Sequence, residues 1–274
     1  MRHIMAVMIL LFGLGTGHAA VTESAGLEWT LDAEVRKQAS PMAWIPDGAF
    51  PMGNQGGAAK GRPVHQVYLY AFYMDIYEVT TAHYAKFLAA AGPNHPDLVP
   101  MLWEQVNLAS HGDRAVVGVT WKAAETYCAW AGKRLPSEAE WEKAARGADG
   151  RQYPWGNDVP TSSRANYDKP VWHDRDIYTD GLKPVGSYEA GRSPYGIYDM
   201  AGNVAEWVSD WYDEKYYVIS PASNPSGPAL GKQKVLRGGS FGDAAVVLQS
   251  SSRESYFPVD KGPYVGIRCA KDAF

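Results

Sequence analysis

Residues 195–207 read Tyr195-Gly196-Ile197-Tyr198-Asp199-Met200-Ala201-Gly202-Asn203-Val204-Ala205-Glu206-Trp207. The stretch is rich in Tyr, Gly and Trp and sustains no helical period. The same texture runs from Gly150 to the C-terminus, so loops and short strands are expected there and no long helix. It ends in two strand-like segments, Val235-Leu236-Arg237-Gly238-Gly239-Ser240-Phe241 and Tyr264-Val265-Gly266-Ile267-Arg268-Cys269-Ala270.

Regular structure is expected nearer the N-terminus. Met42 to Gly53 reads as a short strand, a Pro/Gly turn and a second short strand, and Gln66 to Met74 alternates like a strand. Thr80 or Thr81 can cap a helix carrying Tyr84, Phe87, Leu88 and Ala91 on one face, closed by Gly92. Thr120 caps a second helix, Trp121 to Ala131, which Gly132 ends. Ser137-Glu138-Ala139-Glu140 spells a capping box, in which the Ser137 hydroxyl accepts from the Glu140 N–H and the Glu140 carboxylate from the Ser137 N–H. That helix runs to Arg146 and stops at Gly147. No repeat and no linker interrupts the chain, which predicts one domain over residues 42–274, preceded by an extension over 21–41.

Composition agrees. The 274 residues are 46% hydrophobic and 20% charged, which excludes a disordered chain, a coiled coil and a polytopic membrane protein. The formal charge is −4 with no Lys/Arg block, a poor footprint for nucleic acid. With 28 Gly, 18 Pro, 10 Trp and 17 Tyr, the chain suits a loop-rich domain held by aromatic anchors better than a bundle or an α/β repeat.

Residues 1–20 read as an address. Arg2 and His3 precede an apolar run from Ile4 to Leu14, and Gly17 and Ala19 frame a cleavage site after Ala19 or Ala20. The run falls short of the roughly 20 apolar residues that span a bilayer, so a secretory signal peptide is the expectation. It implies a periplasmic or secreted protein, free of the membrane once the signal is cleaved, in an oxidising, calcium-bearing compartment. In such a compartment Cys128 and Cys269, the two cysteines, read as one long-range disulfide; a pair of reactive thiols is the rival, without CxxC spacing or an adjacent His to support it.

Seven ordered segments together resemble the sulfatase-modifying-factor family, whose best-known member is the formylglycine-generating enzyme. They are Ile45–Gly53, Phe72–Thr80, Ala131–Glu142 (AGKRLPSEAEWE), Tyr153–Asn157 (YPWGN), Tyr195–Trp207, Arg237–Phe241 (RGGSF) and Gly266–Ala270 (GIRCA). The resemblance implies an α+β fold low in regular structure, the family's variant of the C-type-lectin-like fold. It places Cys128 and Cys269 at the family's structural disulfide. It also implies structural calcium. One site maps to Asn166, Tyr167, Asp180 and Leu182, and a second to Asp199, Gly202, Val204 and Glu206. These offer carboxylates, an amide and carbonyls, the hard oxygen donors that calcium takes about six to eight of.

The chemistry departs from the best-known member. That enzyme oxidises a substrate cysteine with copper held by two cysteines placed shortly after the Gly-Gly-Ser-aromatic motif. The matching positions here are Asp243 and Leu248. Leu248 cannot ligate a metal and a lone carboxylate suits Cu(I) poorly, so copper-thiolate chemistry is not expected. Ala205 also replaces a bulky Trp. The family's non-haem-iron branch draws ligands partly from a helical domain with no counterpart here, and His65, His83, His95, His111 and His173 show no paired metal-ligand spacing.

The segment after Gly239 supplies the candidate catalytic residues, Ser240, Asp243, Arg253 and Glu254. Arg253 beside Glu254 reads as an ion pair, or Glu254 or Asp243 reads as a general base that removes a proton from a substrate then oxidised by dioxygen. The architecture resembles the exported family branch that completes the pyoverdine siderophore chromophore. Two functions are therefore expected to compete. One is an oxidoreductase maturing a peptide or peptide-derived natural product. The other is a non-catalytic, calcium-stabilised binding protein that assists a periplasmic partner.

Overall fold

The structure is a computed structural model and describes residues 40–55, 59–170 and 176–274. The expected signal peptide and all but the last two residues of the extension lie outside the described residues.

Three small sheets carry the strands. Strands β1 (Met42–Ile45), β4 (Phe72–Asp75) and β9 (Ala270–Asp272) form an antiparallel sheet in the order β1-β4-β9. Strands β2 (Gly48–Met52) and β3 (His65–Leu69) form a hairpin, with Phe50 opposite Val67. Strands β5 (Ala205–Trp211), β6 (Lys234–Arg237), β7 (Glu254–Tyr256) and β8 (Val265–Gly266) form the third sheet in the order β7-β6-β5-β8, with β5 and β8 parallel.

The strand expected over Gln66–Met74 is two strands in different sheets. The chain turns at Tyr70 and Ala71, and the Tyr70 N–H that no ladder uses is donated to Asn224 Oδ1 at 2.8 Å. Tyr264–Ala270 divides likewise: β8 joins β5, and Ala270 crosses to pair with Met74. Alternation records one buried face but not which neighbour the strand pairs with, so a change of sheet leaves the period-2 pattern intact.

The helices follow their caps. Helix α1 (Thr81–Ala91) begins at Thr80, whose hydroxyl accepts from His83 N at 3.3 Å, and ends at Gly92 with φ +78°. A single turn, α2 (Leu108–His111), follows. Helix α3 (Trp121–Trp130) is capped by Thr120, and α4 (Glu138–Arg146) by the Ser137/Glu140 box, with 3.2 and 2.7 Å bonds. Beyond Gly150 the described helical segments are short turns, among them α5 (Tyr216–Ile219) and a π-turn over Ile177–Gly181. Cys128 of α3 and Cys269, both fully buried, form the disulfide across 141 residues.

Helix α4 lies against β2, β3, β5 and β6, and its inner face is both apolar and charged. Ala139, Trp141, Ala144 and Ala145 pack with Ile45, Phe50, Met74, Met200 and Val235. Glu138, Glu142 and Arg146 share that burial. They are tolerated because strand and loop residues bring matching charge. Arg253 donates to both Glu138 oxygens at 2.6 and 2.8 Å, Arg237 reaches Glu142 at 2.5 Å, and Arg146 reaches it at 2.9 Å.

Candidate functional site

Strand β6 ends in Gly238-Gly239, both left-handed (φ +92° and +69°). The turn needs glycine for space as well as φ, since a Cβ on Gly238 would press on Trp141 at 3.1 Å. It delivers Ser240, nearly fully buried, whose amide and hydroxyl both donate to Asp243 Oδ2, at 2.8 and 2.7 Å. One oxygen of a half-buried carboxylate is thus clamped by neutral donors. Asp243 forms no salt bridge among the described residues.

The second position singled out behaves oppositely. Leu248 is fully buried and packs with Tyr153, Ala165 and Ala201, with Trp155 and Tyr167 against the cluster. The Tyr153 and Trp155 rings stack in parallel 5.2 Å apart. A hydrocarbon plug fills the place where the resemblance would put a thiol.

The other two candidates face different ways. Arg253 is buried and spends its guanidinium on Glu138 and on the carbonyls of Lys60 and Asp213 at 3.1 and 3.3 Å. It also lies over the Tyr217 ring at 4.1 Å. Glu254 is exposed and pairs with Lys60 at 3.0 Å. The adjacent pair is therefore not an ion pair, because successive residues on an extended strand point to opposite faces. Ser240 and Asp243 are brought into contact; Arg253 turns into the core and Glu254 out to solvent.

One contact links the two halves of the first expected calcium set. Asn166 Nδ2 donates to Gly181 O at 2.9 Å and to Asn203 Oδ1 at 3.0 Å, joining the Asn166-Tyr167 segment to the turn that bears Asp180 and Leu182. Asn166 Oδ1 is buried and accepts from no protein donor. An oxygen left so fits a cation ligand. Asp180 is exposed and Leu182 buried.

The second set is more engaged. Asp199 takes a left-handed φ of +58° and accepts from Gly186 N at 2.6 Å. Gly202 packs so closely on Asn166 that a Cβ would stand 2.3 Å from its carbonyl oxygen. Both Glu206 oxygens are occupied, by Arg268 at 2.8–3.0 Å and by Trp141 Nε1 at 2.6 Å. Beside them lies a carboxylate the sequence reading missed. Glu78 is fully buried and accepts from Asn203 Nδ2 at 2.6 Å and Val204 N at 3.3 Å. Burial, then Asp199 and Glu206, push the Glu78 carboxyl well above its ordinary range, and burial raises Asp199 to about 6. The surplus of carboxylates around Arg268 favours added positive charge. Among the described residues no three His, Cys, Asp or Glu side chains form a ready metal group, so a cation held here would need carbonyls as well.

Comparisons with known proteins show the family. The profile of the sulfatase-modifying factor enzyme 1-like domain matches residues 29–273. The formylglycine-generating enzyme of Streptomyces coelicolor is 34% identical over 84% of this chain and 88% of its own. The hercynine oxygenase of Mycolicibacterium smegmatis is 31% identical over 83% of this chain and 60% of its own. Chlamydia caviae serine/threonine-protein kinase pkn1 is 36% identical over 84% of this chain, which spans only 38% of that protein's length. Among solved structures, PvdO from Pseudomonas aeruginosa superposes with a TM-score of 0.70 at 25% identity, covering 86% of this chain and 95% of that one. The chain belongs to the sulfatase-modifying-factor (formylglycine-generating-enzyme-like) family, with the family's α+β, lectin-like fold and with both of its cysteines in one disulfide.

Proposed function

We propose that this chain is an exported oxidoreductase that acts on a peptide or peptide-derived natural product without copper-thiolate chemistry. The clamped carboxylate carries the reading. Ser240 fixes one oxygen of Asp243, which leaves the other to accept a proton from a bound substrate. The substrate then gives up a second hydrogen, and its two electrons and two protons pass to dioxygen, which leaves as hydrogen peroxide. Relatives named as a formylglycine-generating enzyme and an oxygenase support an oxidative role on this fold. Glu254 serves as a further base on the exposed side of β7. Arg253 contributes by holding that strand to α4 through Glu138.

Export rests on the leader over residues 1–20. Calcium is proposed as a structural cofactor, held by Asn166, Asp180 and the carbonyls of Tyr167 and Leu182, and by Asp199, Glu206 and the carbonyls of Gly202 and Val204. The orphaned Asn166 oxygen supports the first set and the carboxylate surplus the second.

Oxygen consumption with candidate peptide and siderophore-precursor substrates tests the activity, comparing the wild type with Asp243→Asn and Glu254→Gln. Uptake abolished in Asp243→Asn and reduced in Glu254→Gln supports it. If the wild type is inert on every substrate, the non-catalytic reading, a calcium-stabilised protein that holds a periplasmic partner, takes its place.

A further inference from the structure

Ser240, Asp243 and Leu248 sit on one loop, residues 238–252, and both ends of that loop meet one side chain. Strand β6 pairs with β7 from Lys234 opposite Tyr256 to Leu236 opposite Glu254. Where that ladder stops, the Arg237 side chain continues the join. Its Nη1 donates to Ser252 O at 2.5 Å and its Nη2 to Ser250 O at 2.7 Å. The residue just before the loop thus binds two carbonyls of the loop's last turn.

The guanidinium is itself fixed. It is nearly fully buried, and Nη2 also donates to Glu142 Oε2 at 2.5 Å. Nη1 stands 3.5 Å from Glu138 Oε1, and the group lies over the Trp141 ring at 5.2 Å. Glu138 is the carboxylate that Arg253 holds, so the residues flanking the loop on both sides are tied to α4 one turn apart. A planar fork of donors can serve two carbonyls and a carboxylate at once; an ammonium, a point charge, does not reproduce that geometry.

The two arms of the loop touch. A Cβ on Gly239 would stand 3.3 Å from Leu248 Cδ1. Neighbouring segments hold the outgoing arm, through Phe241 N to Asn203 O and Asp168 N to Asp243 O, each at 2.9 Å. The returning arm bends through Val247 N to Ala244 O and reaches Ser250, whose amide donates to Gln152 O, again at 2.9 Å. Its last carbonyls end on Arg237. The path to the reactive group is then short: Leu248 packs on Gly239, the next residue is Ser240, and Ser240 clamps Asp243.

We infer that Arg237 is a positioning residue of the candidate site: it clasps the ends of the loop, seats Leu248 on Gly239 and so sets the place of Ser240 and Asp243. The inference rests on the reading that Asp243 marks the reactive site. It adds a buried residue that touches no substrate and fixes the carboxylate from behind.

Amide hydrogen exchange on the intact protein tests it in Arg237→Lys, which keeps the charge beside Glu142 and loses the fork. Amides of residues 239–249 should exchange about tenfold or more faster than in the wild type, while those of α4 should not. A residue serving overall stability alone would speed both alike, because global opening exposes both. If Arg237→Lys does not fold, Arg237→Met/Glu142→Gln, which removes the pair together, is read in the same way. Equal acceleration in the loop and α4, or none in the loop, overturns the inference. Oxygen uptake gives a separate arm. With a substrate that the wild type oxidises, kcat in Arg237→Lys should fall about tenfold or more. A kcat at the wild-type level overturns the inference and leaves the oxidoreductase reading standing. A wild type inert on every substrate, with exchange raised in the loop alone, removes that reading while the clasp on Asp243 stands.

Discussion

Arg253 donates from Nε and Nη2 to the two oxygens of Glu138, across 115 residues, with both side chains buried. The contact bolts β7, and the loop that carries the candidate site, to the first turn of α4. A buried bidentate pair of this kind contributes little net stability compared with apolar packing, but losing one partner strands the other charge.

Glu138→Gln is therefore expected to destabilise the fold by about 3–5 kcal/mol, and Glu138→Asp by less. Urea unfolding monitored by tryptophan fluorescence measures it. A loss under about 1 kcal/mol would mean that Arg253 finds other partners, such as the Lys60 and Asp213 carbonyls it already touches.

Elements written in local chemistry were legible in the sequence. Thr80, Thr120 and the Ser137–Glu140 box start their helices where the caps place them, and Gly92 and Gly147 close two of them. The buried charges were not legible. Glu138 and Glu142 sit in a helix whose alternating charge suggests a solvated face. They are buried only because Arg237 at the end of β6 and Arg253 just before β7, about a hundred residues later, bring matching charge. Glu78 was missed for the same reason, since its partners Asn203 and Val204 are 125 and 126 residues away. At the candidate site, motif position found Ser240, Asp243 and Leu248.

Asp210 gives a pH dependence with a definite sign. It is buried, accepts from Glu138 N at 2.8 Å and Ser209 Oγ at 3.0 Å, and burial together with the Glu138 charge pushes it up to about 7. Its pKa is higher folded than unfolded, so the native state holds a proton that the unfolded chain releases near pH 4. The stabilisation is whole below about pH 4 and is lost as the pH rises to about 7. Asp210→Asn keeps an acceptor for both donors and should flatten that decline. Thermal melting of both proteins at pH 4.5 and 7.5 checks it, and an equal decline in the variant would remove Asp210 from the account. Asp75 and Asp199, each raised to about 6 by burial, and Glu78, raised well above its ordinary range, should leave a remaining decline of the same sign in the variant.

The proposed calcium sites predict a melting temperature that falls when a chelator is added and recovers with excess calcium but not magnesium. Linkage sets the size, about 2.7 kcal/mol when calcium stands at a hundred times its Kd. Asn166→Ala, which removes the orphaned oxygen, should melt lower with calcium and show a smaller chelator effect. A melting temperature indifferent to chelator would withdraw both sites.

The disulfide supplies a last test, with a chemical and an energetic arm. Cys128 and Cys269 are fully buried, so native protein should resist mild reductant, and denatured unreduced protein should give no thiol titre with an Ellman-type reagent. Closing a loop of 141 residues stabilises the fold by about 4–5 kcal/mol in the chain-entropy model, by shrinking the unfolded ensemble. The Cys128→Ala/Cys269→Ala double variant should lose much of that and aggregate more readily. Any oxygen uptake should survive in whatever fraction stays folded, because neither sulfur is free to hold copper. Activity that vanished from folded, disulfide-free protein would restore sulfur to the mechanism and overturn the assignment of Asp243.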